Sequence, residues 1–174
     1  MTKKTNTNSN HIYSKVDTEI GRFWIACSPR GITAIRPASE SKAVFESGYE
    51  KLLGERPRNS RVPDAFSEAL KRAVRGESAP SGLIDWTCFT KFQQKVLKRL
   101  HKIPAGTTQT YSWLARQSGS PNAARAVGNV MAGNPVPFLL PCHRIVPASG
   151  GIGNYGLGKE LKRKLLQREG VDLT

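Results

Sequence analysis

Four prolines punctuate fourteen residues of this chain, the stretch NPVPFLLPCHRIVP at 134–147. Proline has no amide hydrogen to donate and its ring fixes φ, so these prolines favour a non-strand turn around Cys142. Inside the stretch Cys142 stands between Pro141 and His143, ahead of the glycine-rich SGGIGNYG at 149–156. Packing alone would be served by a cysteine on a plain strand. Here a thiol is presented beside an imidazole and a guanidinium, and because strand neighbours point to opposite faces, Cys142 and His143 can cooperate only from a turn.

Around that stretch the pattern is conventional. GRFWIACS and GITAIRP, parted by PR, predict a β-hairpin. From Pro63, PDAFSEALKRAVRG places Ala65, Phe66, Ala69, Leu70, Ala73 and Val74 on one helical face and stops at Gly76. ESAPSG at 77–82 reads as a linker and LIDWT as a short strand. TKFQQKVLKRLHKIPAG opens with a capping-box pattern, Thr90 to Gln93, and ends at Pro104. A short helix from Tyr111 to Gln117 breaks at Ser118-Gly119, and Ser120 is positioned to cap a second helix starting at Pro121. Two short helices about a tight turn fit a helix-turn-helix, and an ordinary αα-hairpin equally. The second helix is thin: Ala123, Ala124, Ala126 and Gly128 leave Arg125 as its one cation. Such a face packs closely on a neighbouring helix or enters a narrow groove, the DNA minor groove being about 6 Å wide. GKELKRKLLQREG predicts a last amphipathic helix, with Leu161, Leu165 and Leu166 inward and Gly170 closing it.

Charge narrows the class of partner. Lys and Arg number 27 against 13 Asp and Glu, a formal net charge of +14. Residues 1–83 hold 14 basic and 9 acidic residues, and 84–174 hold 13 and 4. A surplus concentrated in one half points to a polyanion, most economically nucleic acid. No apolar run approaches the roughly 20 residues of a membrane span. MTKKTNTNSN has no apolar segment after its lysines, so residues 1–10 read as a disordered polar tail and the expected location is cytoplasmic, associated with the nucleoid. The cysteines at 27, 88 and 142 are too few and too scattered for a disulfide framework or a zinc knuckle. Cys27 and Cys88 sit in apolar runs and read as core residues.

A thiol attacks as the thiolate, and an unassisted cysteine is mostly protonated near neutrality. His143 can take the proton if a carboxylate orients it. The second half offers only Asp85, Glu160, Glu169 and Asp172. Glu160 falls among the bases of the last helix and reads as solvated, whereas Glu169, beside Gly170, is the best placed to reach inward. The sulfur is expected to be held partly ionised.

PCHRIV, preceded by GNPVPFLL and followed by GNYGLGK, resembles the O6-alkylguanine-DNA alkyltransferase family, and TYSWLARQSGSPNAARAVG is similar to that family's helix-turn-helix. The resemblance covers about residues 84–171; the first 83 match only in length and strand-rich character. It implies an α+β chain: residues 11–83 as a small sheet-plus-helix support domain, 84–174 as a mostly helical domain carrying the helix-turn-helix. It also implies that Cys142 accepts the alkyl group, that His143 takes the sulfur's proton through a bound water, and that Glu169 orients His143. Asn134 would be the hinge tying the helix-turn-helix to the active-site loop. Tyr111 would crowd the 3′ phosphate and help protonate the leaving guanine. Arg125 would fill the gap left by a flipped nucleotide, with Ala123, Ala124 and Gly128 forming the helix face in the minor groove. Tyr155 and backbone near Ile145 and Gly156 would line the guanine pocket, with Pro137 on its apolar wall. The implied substrate is O6-alkylguanine in double-stranded DNA, with O4-alkylthymine as a further candidate, and the implied protein is a monomer working without metal or cofactor. Its thioether product has no easy hydrolytic exit, so each molecule reacts once.

Two other readings carry their own signatures. A non-catalytic sensor of alkylated DNA would lack the acceptor cysteine, which is present. A Cys-His hydrolase would turn over repeatedly and leave the basic half unexplained. In one respect the chain departs from the family pattern: many members have a serine where Gly156 follows the pocket tyrosine.

Overall fold

A computed structural model of the chain describes residues 9–173. The chain divides into two compact units, one holding residues up to Lys71 with Pro80–Cys88, the other Arg72–Ala79 with everything from Phe89. Residues 72–79 therefore group with the second half of the chain and 84–88 with the first.

The first unit is a four-stranded sheet in the order β3-β2-β1-β4. Its strands are β1 (Ile12–Thr18), β2 (Gly21–Ser28), β3 (Gly31–Pro37) and β4 (Arg58–Asn59). The first three run antiparallel to their neighbours, with a bulge in β2 at Ala26/Cys27, and β4 adds in parallel to β1. The predicted hairpin is β2–β3. Helix α1 (Lys42–Leu53) starts at Ser41, whose side chain accepts from the Val44 amide, and stops at Gly54 with φ 77°. It buries Phe45 and Tyr49 against Tyr13, Trp24, Ala26 and Ala34. Neither β1 nor α1 was evident from the pattern: the apolar residues of β1, Ile12, Tyr13 and Val16, do not alternate with its polar ones, and α1 exposes Val44 and Leu52. The predicted strand at LIDWT is instead a 3-10 turn at Ser81–Leu83, one bridge from Ile84 to Ile32, and a second turn at Trp86–Cys88. Asp85 explains the break, since its carboxylate accepts from the Ser28 hydroxyl and from the amide and hydroxyl of Thr87, curling the chain locally. Cys27 is buried as expected, but Cys88 is only half-buried. Of the expected polar tail, residues 1–8 lie outside the described residues. Ser9 departs from it: buried, it donates to Glu55 at 3.0 Å and accepts from Arg58 at 2.8 Å.

Helix α2 (Asp64–Val74) buries Ala69, Leu70, Ala73 and Val74 as its periodicity demands, while Ala65 in its first turn is exposed. In the second unit α3 (Lys91–Leu100) carries the complete capping box between Thr90 and Gln93. Helix α4 (Tyr111–Gln117) ends where Gly119 turns the chain at φ 75°. Helix α5 (Ala124–Ala132) begins three residues later than predicted. Ser120 does not cap it; its carbonyl closes a turn onto the Ala123 amide, and Ala123 takes the cap position with no side-chain hydrogen bond. Helix α6 (Lys159–Arg168) buries Leu165 and Leu166, leaves Leu161 half-buried, and is closed by Gly170 at φ 78° with Val171 N–H reaching back to Leu166. The unexpected inward residue is Lys162, fully buried. A two-stranded parallel ladder, β5 (Gln109–Thr110) against β6 (Ile145–Val146), joins the approach to α4 to the chain just past Cys142. Among the described residues no helix is long and apolar enough to cross a membrane.

Candidate active site

Proline chemistry builds the turn as predicted. With amide donors missing at four positions, the side chain of Asn134 bridges three points of the segment. Its Nδ2 donates to the Leu140 carbonyl at 2.9 Å and to Cys142 Sγ at 3.1 Å, while its Oδ1 accepts from the Val136 amide at 3.1 Å. The loop it encloses holds Phe138 at φ 72°, a conformation uncommon for a non-glycine residue and one that persists only where surroundings impose it. Residues Cys142–Arg144 then form a single 3-10 turn rather than a strand. Thr110 links this turn to α4, because its backbone pairs with Val146 while its hydroxyl caps α4 at the Trp113 amide, 3.1 Å away.

The residues that follow Cys142 in the chain belong to a buried charge cluster. His143 Nε2 lies 2.9 Å from Glu169 Oε1. Arg144 grips the same carboxylate through both Nε (3.0 Å) and Nη2 (2.8 Å), and its Nη1 donates to the Ile103 carbonyl at 2.6 Å. The side chains of His143, Arg144 and Glu169 are 0%, 8% and 2% exposed. Burial by itself would raise the Glu169 pKa, but the hydrogen bonds and charge of His143 and Arg144 outweigh it and bring the carboxyl down to about 2. Burial pushes His143 below its ordinary value, against the pull of Glu169. A neutral His143 facing an ionised Glu169 carries its proton on Nε2, which leaves the lone pair on Nδ1. That Nδ1 is buried and has no hydrogen-bond partner among the described residues.

The resting sulfur is not held partly ionised as expected. Cys142 is 7% exposed, and burial raises its pKa above the ordinary thiol value. The Asn134 hydrogen bond, the Lys162 charge and Tyr155 pull the other way without prevailing. Lys162 donates to the Ile145 carbonyl at 2.6 Å and the Asn154 carbonyl at 3.4 Å, so it fastens the glycine-rich loop to β6, and burial brings it down to about 8. Nothing in the amphipathic pattern of α6 distinguishes Lys162 from its solvated neighbours; only its position on the stripe shared with Leu165 and Leu166 hints at it. Gly153 completes the loop: at φ 70° a Cβ there would lie 2.6 Å from Pro147 Cδ, so only glycine permits the approach.

Cys142 opens onto a pocket of about 360 Å³ lined by Tyr155 and Gly156, the two residues expected there that it includes, by Tyr111 and Gly128, for which the sequence suggested other roles, and by Met131, Ala132 and Asn154, which sequence reasoning missed. Pro137 and Ile145 are buried but are not among its lining residues. Arg125 is exposed on α5, with Ala123 and Ala124 half-buried beside it. Gly156 has room for a side chain, since a Cβ would meet the Ala132 carbonyl at 3.7 Å. Glu160 is solvated, its side chain 80% exposed.

A sulfur at the floor of a pocket, with an imidazole–carboxylate pair in reserve, is equipped for nucleophilic chemistry, which places the chain among proteins that use a cysteine as nucleophile. Residues 91–171 match the 6-O-methylguanine DNA methyltransferase, DNA binding domain family. The methylated-DNA–protein-cysteine methyltransferase of Mycobacterium bovis is 36% identical over 160 residues, which cover 90% of this chain and 91% of that protein. Among solved structures, the Mycobacterium tuberculosis O6-methylguanine methyltransferase aligns with a TM-score of 0.72 at 33% identity, over 91% of this chain and 92% of the other. The Mycobacterium tuberculosis OGT in complex with DNA aligns with a TM-score of 0.69 at the same identity and coverage. The chain belongs to the methylated-DNA–protein-cysteine methyltransferase family.

Proposed function

We propose that this protein repairs DNA by moving the alkyl group of O6-alkylguanine onto its own Cys142 in one irreversible turnover, with O4-alkylthymine as a second substrate. The observation that carries the reading is the unpartnered, buried Nδ1 of His143, whose other ring nitrogen meets Glu169, on the residue that follows a thiol lining a pocket of about 360 Å³. The alkyl carbon lies inside the duplex, so the nucleotide has to rotate out, and a mispaired base rotates more cheaply. Helices α4 and α5 act as a helix-turn-helix, with Ala123, Ala124 and Gly128 in the minor groove and Arg125 filling the gap. The sulfur's proton passes to His143 Nδ1 through a water. The resulting imidazolium is stabilised by Glu169, and the thiolate by Asn134 Nδ2 and the Lys162 charge. A thiol that is neutral at rest fits this order, because ionisation is then coupled to attack. The S–C bond forms as the C–O6 bond breaks, and the electron pair leaves on guanine. Tyr111 supplies a proton to the base, and the Gly156 N–H steadies O6. The product thioether is not hydrolysed, so the protein is consumed. It acts as a cytoplasmic, nucleoid-associated monomer.

Mass spectrometry tests this directly. After mixing with an O6-methylguanine duplex, one methylene should appear on the peptide containing Cys142, and the lesion should disappear in equal amount. An unmodified protein beside an intact lesion would refute it. Lesion binding without consumption of thiol would favour the sensor reading.

A further inference from the structure

Helix α3 has no assigned part in this chemistry, yet every exposed residue on it is a cation. Its buried face is Val96, Leu97 and Leu100, and Lys91, Lys95, Lys98, Arg99 and then Lys102 fill the exposed side. Arg116, at the end of α4, faces them across a trough of about 530 Å³ lined also by Lys95, Lys98, Arg99 and Lys102. No acidic residue occurs anywhere between Asp85 and Glu160, so the sequence supplies these cations with no local counter-charge. Lys95, Arg99, Lys102 and Arg116 form no ion pair among the described residues. Interaction with the helix dipole accounts for cations in the last turn, where Lys98 and Arg99 sit, but not for Lys91 and Lys95 nearer the N-terminus. Like charges four residues apart weaken a helix. A helix assembled against its own electrostatics is explained by an external anion.

We propose that this trough grips the phosphate backbone of duplex DNA as a contact surface separate from the α5 face. The inference rests on the DNA-repair reading above. The geometry suits a phosphate strand: Lys95 to Arg99 spans about 6 Å along the helix at ~1.5 Å per residue, with Lys102 just past its end, and a strand offers a phosphate about every 3.4 Å of axis. Cations on both walls bracket a rod of charge. The trough contributes affinity without reading sequence, because a phosphate is the same beside every base.

The salt dependence of binding by the full chain to a short lesion-free duplex decides the matter. Each phosphate that the protein no longer neutralises lowers the slope of log K against log salt by about 0.9. The triple variant K95Q/K102Q/R116Q is expected to lower it by about 2 to 3 and to weaken binding at least tenfold near ~0.1 M salt. Its rate of alkyl transfer from free O6-methylguanine base to Cys142 should match the wild type, which also shows that the variant is folded. The charge-keeping variant K95R/K102R/R116K should retain the wild-type slope. An unchanged slope in the glutamine variant would overturn the proposal and leave an acidic protein as the partner of the trough. Failure of Cys142 to be alkylated by either free base or duplex would instead remove the repair reading, while the slope comparison still stood.

Discussion

Replacing Glu169 with Gln keeps the shape of the side chain and removes one buried charge. In the wild type that charge faces Arg144 through two hydrogen bonds and His143 through a third. The drop of the Glu169 carboxyl from 4.5 to about 2, at about 1.4 kcal/mol per pH unit, corresponds to about 3 kcal/mol of folding stability. Breaking a buried pair by removing one partner costs about 3–5 kcal/mol by mutation, which agrees. E169Q should therefore lower the unfolding free energy at pH 7 by about 3 kcal/mol, or Tm by about 6–12 °C for a chain of this size. The sign with pH follows from the depressed carboxyl. Its contribution is complete above 4.5 and is lost as pH falls towards 2, so the gap between wild type and E169Q should close over that window. Urea denaturation at pH 7 and pH 3 measures both quantities. A variant within about 0.5 kcal/mol of wild type at pH 7, the scatter of ordinary surface changes, would refute the claim that this carboxylate balances buried positive charge. So would a gap that stays constant into acid.

Other consequences are open to measurement. Alkyl transfer from free base should fall on acidification with a midpoint below the ordinary histidine value of 6.5, as His143 Nδ1 becomes protonated; a rate independent of His143→Gln would count against the relay. Asn134→Leu removes the amide donor 3.1 Å from the sulfur and unties Leu140 and Val136, so it should cost about 1–3 kcal/mol per buried group left unpaired and slow transfer as well. Lys162→Met should slow transfer, and wild-type stability relative to it should rise between pH 8 and 10.5, where the folded lysine has already shed its proton and the unfolded one has not. Gly156→Ser should fold normally, because its Cβ meets nothing closer than 3.7 Å, and should alter the rate ratio between methyl and bulkier adducts; Gly153→Ala should disorder the loop against Pro147.

Local chemistry was legible wherever a residue acts on its own backbone neighbours. The prolines favoured a turn at Cys142, Thr90 and Gln93 announced the start of α3, and β2–β3 and α4 fell where their apolar runs and breakers put them. Glu169 could be chosen as the partner of His143 because few acids compete for the role. Elements whose burial depends on distant partners were missed: β1 lacks the apolar/polar alternation of a strand and is held by its neighbours in the sheet, and α5 starts late because the turn at Ser120 closes on Ala123. Sequence by itself determined which atoms are available, a thiol, an imidazole, a carboxylate and a surplus of cations, together with the preference for a turn at the thiol. Tertiary structure decided their state. It buried Cys142 until its proton is retained, drew Lys162 off a basic helix into the core, and closed His143 and Arg144 on one carboxylate across twenty-five residues of chain. Ionisation depends on solvent exclusion and on charges brought together in space, and neither quantity is written in the order of residues.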